Sequence, residues 1–181
     1  MIDKTIKPTK LLWVDLEMTG LNPNQHVIIE IAAEVTDFEF KTLASYEALI
    51  NQPEEVLAQS NEWAAAQHSK SGLLDKLRKE GRPEQDVMHE FVGFIKAQFA
   101  DEPAILAGNS IHNDRLFISK WWPDVDALLH YRMFDVTTLK ILMQGKYGYE
   151  YEKKDEHRAF DDIQASIAEL QNYLDRLKNG S

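Results

Sequence analysis

The chain has 181 residues, 20 of them basic and 30 acidic, for a net charge of −10, with 44% hydrophobic side chains and no cysteine. This is material for one core rather than two, and it excludes disulfides and thiolate metal sites. So acidic a chain is also a poor clamp for long nucleic acids, which are held by many Lys and Arg contacts to phosphate. A small anionic substrate in one local pocket remains compatible.

The opening MIDKTIKPTKLL lacks the apolar stretch of a signal peptide. No segment approaches the roughly 20 apolar residues of a membrane span. A soluble cytoplasmic protein with no membrane partner is the expectation. Residues 11–18, LLWVDLEM, read as a strand, followed by a Thr-Gly turn and the loop LNPNQ. Residues 27–38 are rich in β-branched side chains and read as a second strand, with 42–50 returning beside it in a meander. From about 54 to 99 the pattern is helical, broken near Gly81-Arg82-Pro83, and clearest over 84–99. There Val87, Phe91, Phe94, Ile95 and Phe99 form one stripe. A short buried-type strand at 104–107 leads through Gly108-Asn109-Ser110 into a helix around 113–122. A fifth strand near 132–136 precedes a helix around 137–144, and a linker at 145–156 follows. The last helix, about 158–178, carries Phe160, Ile163, Ile167, Leu170, Leu174 and Leu177 at steps of three and four. Strands followed by alternating helices and strands predict an α/β fold, a mixed sheet covered by helices.

Three sites hold acids that do not read as ordinary surface. Asp15 and Glu17, two apart on a strand, project from the same face. Leu11, Leu12, Trp13, Val14, Leu16 and Met18 around them mark a central strand rather than a solvated edge. Two like charges side by side there are costly unless a cation lies between them. Asp114, near a helix start, taken alone reads as a cap or first-turn acid. In HRAFDD, at about 100° per residue, Asp161 points roughly 150° from the apolar stripe and Asp162 about 110°. Asp161 therefore faces water, while Asp162 borders the stripe and reaches a cleft. His157, too far round to share that face, enters on the linker or first turn, and alone it reads as an exposed polar residue. Carboxylate oxygens suit Mg²⁺ or Mn²⁺, and phosphodiester cleavage commonly uses two such ions. A neighbouring histidine can take the proton of the attacking water.

Taken together, WVDLEMTGL, GNSIHNDRLFI and HRAFDDI resemble the three motifs of the DEDDh exonucleases. DLEMTGL, GNSxxxDR and HYRMFDVTTLK at 130–140 are similar to the oligoribonuclease branch, and the likeness spans about residues 11–174. It implies an RNase H-like fold, a five-stranded mixed sheet flanked by helices, as one exonuclease domain with its core over about 10–178. It implies a 3′→5′ exoribonuclease with two divalent ions per active site. Asp15, Glu17, Asp114 and Asp162 would be the metal ligands and His157 the general base. It further implies a homodimer acting on RNAs from the dinucleotide to about the pentanucleotide. Leu21 corresponds to a wedge against the bases, while Ser110, Arg132 and Thr137 correspond to a cap on the 5′ phosphate. Tyr131 would reach the partner's site. Thr137 stands where the branch usually has Ser. Trp63 and His68, in EWAAAQHSKSGL, match a further branch segment, although the helical spacing reads Trp63 as a core residue. The linker KYGYEYEKKDE departs from the branch by lacking its Trp and Pro. The nearest rival is a DEDDh nuclease for longer strands, which would benefit from a basic track; a second is a non-catalytic binding protein that keeps the fold.

Overall fold

In the computed structural model, which describes residues 7–152 and 158–179, the apolar run β1 (Leu11–Met18) is the middle strand of a five-stranded sheet. The order is β3-β2-β1-β4-β5. β2 (Ile28–Thr36) runs antiparallel to β1, and β3 (Thr42–Leu49) antiparallel to β2, each through a short connection. β4 (Ala104–Gly108) and β5 (Leu129–Asp135) are parallel to β1. Parallel neighbours require crossovers, which helices provide. α1 (Glu54–Leu57), α2 (Glu62–Lys70), α3 (Leu73–Glu80) and α4 (Glu84–Phe99) lie between β3 and β4. α5 (His112–Trp121) and α6 (Pro123–Asp126) lie between β4 and β5, and α7 (Val136–Tyr147) and α8 (Ala159–Asn179) complete the described chain.

Every residue of β2 is buried, because both faces of the sheet are covered. On one face Leu12, Val14, Leu16 and Ile31 meet Val87, Phe91, Ile95 and Phe99 of α4 and Phe117 and Ile118 of α5. On the other, Leu11, Trp13, Ala32 and Ala107 meet Met143 of α7 and Ile163, Ile167, Leu170 and Tyr173 of α8. Each such large side chain contributes about 1.5–3 kcal/mol on burial. The α8 stripe is the one read from the sequence, except that Leu177 is exposed.

Two elements, β5 and α7, extend three residues beyond the sequence reading at one end. β5 begins at Leu129, because its edge position leaves the polar residues of HYRMFD facing outward without an alternating pattern. α7 continues through Gly145 and ends at Gly148, which takes the left-handed conformation (φ 63°) and returns its N–H to Gln144 O. Among the described residues no helix is long and apolar enough to cross a membrane.

Candidate active site

The α8-facing side of β1 begins with Leu11 and Trp13 and continues, at the same period of two, with Asp15 and Glu17. The stripe of α8 docks on the apolar pair, which brings the first turn of the helix to the acidic pair. Asp15, Glu17 and Asp162 each offer a carboxylate oxygen within 4.8 Å of the others, and all three are half-buried. Asp161 is exposed, as the helical arithmetic requires. Three converging carboxylates fit a hard divalent cation, which would replace their mutual repulsion with attraction.

Asp114 enters from α5, the helix that follows the neighbouring strand β4. The β1–β4 ladder is confined to Leu12–Leu106 and Trp13–Ala107, because β4 turns away after Gly108. The Leu16 amide beyond that point donates instead to Asp114 Oδ1 at 3.0 Å. Asp114 is thus in the first turn of α5, yet only 6% exposed, unlike an ordinary first-turn acid. Burial pushes its carboxyl up to about 7, opposed by the Leu16 amide and reinforced by the negative charges of Glu17 and Asp135. A carboxyl raised in this way beside other acids marks a place built for positive charge.

His68 is the site residue that sequence reasoning undervalued. It is 3% exposed, and its Nε2 lies 2.9 Å from Glu17 Oε2. With Ala64 it forms the inner face of α2, whose cap Asn61 accepts the Ala64 N–H and donates its own N–H to Thr19 O just past β1. The signal in the sequence was a histidine four residues from Ala64 on a face with no large apolar side chain. Trp63 corrects the expectation of a core tryptophan. It lies about 100° from Ala64 around the helix and is 63% exposed.

Leu21 is 67% exposed on the loop that follows β1. Ser110 and Thr137 come together where β4 and β5 end. Ser110 N–H donates to Thr137 Oγ1 (2.8 Å) and Asp135 Oδ1 (3.0 Å), and the two hydroxyls are 3.2 Å apart. Asp135 also caps α7 through the Thr137 N–H. Ser110 holds a positive φ of 50°, a strained state for a non-glycine residue. Arg132 is not in this cluster. It lies three residues back along β5, about 10 Å by strand rise, with its guanidinium 5.2 Å from the centre of the Tyr131 ring. Both residues are exposed and line a cavity of about 60 Å³ with Lys10, Phe99, Glu102 and His130. His157 lies outside the described residues; Arg158 after it is anchored by its Nη2 to Glu30 Oε1 at 2.8 Å.

A family model described as exonuclease matches residues 12–170. An oligoribonuclease of Francisella tularensis subsp. tularensis is 43% identical over 169 residues, which cover 92% of this chain and 95% of the relative. A probable oligoribonuclease of Caenorhabditis elegans is 42% identical over 171 residues, covering 93% and 89%. The chain belongs to the oligoribonuclease family of exonucleases. It is accordingly a 3′→5′ exonuclease, a phosphodiester hydrolase. The fold is shared more widely. Zinc-bound E. coli exonuclease I with single-stranded DNA superposes with a TM-score of 0.67 at 16% identity, over 95% of this chain and 41% of that longer one. Its dA16 complex gives 0.61 at 16%, over 95% and 43%. These are likenesses of the RNase H-like fold.

Proposed function

We propose that this oligoribonuclease-family member degrades very short RNAs, from about the pentanucleotide down to the dinucleotide, with two divalent ions, Mg²⁺ or Mn²⁺, held by Asp15, Glu17, Asp114 and Asp162. The observation that carries this reading is the convergence of three half-buried carboxylates from β1 and α8 within 4.8 Å, with the raised Asp114 carboxyl joined to β1 through the Leu16 amide. Such ions, when bound, supply an activated water and support for the leaving oxygen. The chain's own residues do the rest. The carboxylates fix the site, His68 orients Glu17, and His157 accepts the proton of the attacking water, a role typically contributing 10²–10⁴-fold.

Selection of short substrates rests on what surrounds the acids. Leu21, on the loop after β1, and Trp63, on the helix whose His68 meets Glu17, are exposed apolar side chains suited to contacting base faces. Ser110 and Thr137 offer hydroxyls to a terminal phosphate, but Asp135 beside them is anionic, so the phosphate needs a cation. Arg132 is that cation, a planar fork suited to phosphate. A second copy docking along the edge strand β5 would meet both Arg132 and Tyr131, which are exposed there. In this reading a homodimer completes each pocket, Tyr131 and Arg132 serving the neighbouring subunit. Exposed Met133 on β5 and Ile141 and Leu142 on α7 supply apolar surface for that contact.

The test compares a labelled 5′-phosphorylated diribonucleotide with a twenty-mer, with and without Mn²⁺. Metal-dependent preference for the dinucleotide is expected, and equal or faster turnover of the twenty-mer would identify a longer-strand exonuclease instead. Arg132→Ala should weaken the dinucleotide by roughly ten- to a hundredfold, the scale of one charge-assisted contact. Mixing Arg132→Ala with Asp162→Asn subunits should restore cleavage at low dinucleotide concentration, where neither is efficient alone, because one pocket of the mixed dimer is then whole. No restoration would return Arg132 to its own subunit.

A further inference from the structure

The loop between β1 and β2 carries Leu21, and its conformation is set by one imidazole. Asn22 N–H donates to His26 Nδ1 at 3.1 Å, while His26 N–H donates to Asn22 O at 2.8 Å. The ring also covers Gly20. A Cβ built there would lie 2.5 Å from His26 Cε1, 2.6 Å from Nε2 and 2.7 Å from Nδ1, so no side chain fits beneath it. Outside this clasp the loop is tied to two elements of the metal site. Trp121 Nε1 of α5 donates to His26 O at 3.1 Å, and Asn61 N–H at the cap of α2 donates to Thr19 O at 2.9 Å. Leu21, between Gly20 and Asn22, projects from the stretch of loop between these two ties. A leucine 67% exposed in water is costly to hold in one orientation unless its flanking residues are fixed.

We propose that His26 is a positioning residue for substrate. By accepting the Asn22 amide and covering Gly20, it holds Leu21 ready at the mouth of the acidic cleft, and so sets affinity for the short RNA without touching it. The proposal rests on the reading of Leu21 as the base wedge. It requires Nδ1 to be the unprotonated nitrogen, since that atom accepts a hydrogen bond.

A double-mutant cycle in Michaelis constants tests it, read alongside Mn²⁺ affinity and kcat. Leu21→Ala should raise KM for the diribonucleotide by roughly tenfold or more, the scale of one leucine's apolar contact. His26→Ala should raise KM by at least about threefold, with kcat and Mn²⁺ affinity unchanged, and His26→Asn, which keeps an acceptor near the Nδ1 position, should recover part of the loss. In the Leu21→Ala background His26→Ala should then add nothing, because both act through one side chain. A purely structural role for His26 would instead lower stability and add in full to Leu21→Ala, which overturns the proposal. An unchanged KM in His26→Ala overturns it as well. If Leu21→Ala itself leaves KM unchanged, the wedge reading fails, and the proposal about His26 falls with it.

Discussion

Two sets of carboxylates contact α8, and burial alone would rank them wrongly. Glu169 and Glu34 are 0% and 1% exposed, deeper than any member of the acidic trio, yet each is met by donors from the protein. Glu169 accepts from the Tyr173 hydroxyl (2.6 Å) and Asn109 Nδ2 (3.1 Å), with Lys140 Nζ at 3.9 Å. Glu34 accepts from Gln164 and Thr42, and Glu30 from Arg158. Asp15, Glu17 and Asp162 are shallower, and each brings a carboxylate oxygen within 4.8 Å of the others. The first set fastens the helix to the sheet. The second is where like charges are gathered, an arrangement that a cation would stabilise. What marks the functional acids is convergence within reach of solvent.

The sharpest way to break this comparison is to neutralise one acid from each set. Asp15→Asn or Asp162→Asn should cut turnover on the order of 10³-fold while leaving the metal-free fold intact, whereas Asp161→Asn should do neither. A chromogenic or labelled-dinucleotide assay with parallel thermal melts reads both. Equal losses at Asp161 and Asp162 would undo the assignment of helix faces. In the fastening set, Arg158→Met leaves the Glu30 carboxylate buried without its partner, and should cost about 3 kcal/mol in denaturant unfolding. Adding Glu30→Leu to that variant should recover most of the loss. If it does not, Arg158 is holding something other than Glu30.

Asp114 stands between the sets, since it is buried yet belongs to the proposed metal site. Its carboxyl is raised from 3.8 to about 7, so the folded state binds its proton more tightly than the unfolded chain does. The metal-free protein should therefore lose stability as pH rises from about 4 to about 7, and lose no more from this group above that. With water admitted to the open cleft the change should be about 2 kcal/mol. Mn²⁺ should reverse it, and Asp114→Asn should flatten it. Melts from pH 4 to 8 that show the same slope in Asp114→Asn would remove Asp114 as its source.

How much of this was legible in the sequence depended on whether a signal was local. The acid pair of β1 stood out because two carboxylates interrupted an apolar run at the period of a strand, and Asp162 because helix angles follow from spacing alone. The α8 stripe was legible for the same reason. The start of the edge strand β5 was not, since one free edge removes the alternation that burial imposes. The outward turn of Trp63 and the burial of His68 were not legible, because which side of α2 faces inward depends on how the helix packs against Glu17. That contact joins residues 51 apart, and no local pattern encodes it. The separation of Arg132 from Ser110 and Thr137 was equally hidden. The motif words put them in one cap, but only the length of β5 shows the gap.

The smallest effect expected concerns His68, and it tests whether the functional set is supported from behind. In the proposed site Glu17 presents oxygen to a cation while its Oε2 lies 2.9 Å from His68 Nε2. If His68 donates there, it fixes the carboxylate's rotamer and leaves the other oxygen for the ion, the usual arrangement of a group held behind a metal ligand. Removing such a support typically costs 10–100-fold in metal affinity. Because the other carboxylates remain, His68→Ala should fall at the lower end, about tenfold weaker for Mn²⁺, or roughly 1.4 kcal/mol. His68→Gln, whose amide places a donor near the position of Nε2, should restore most of it. Calorimetric titration of Mn²⁺ into the parent and both variants decides the matter. Unchanged affinity in His68→Ala would make the histidine a packing residue of α2, and Glu17 would then be oriented by its strand alone.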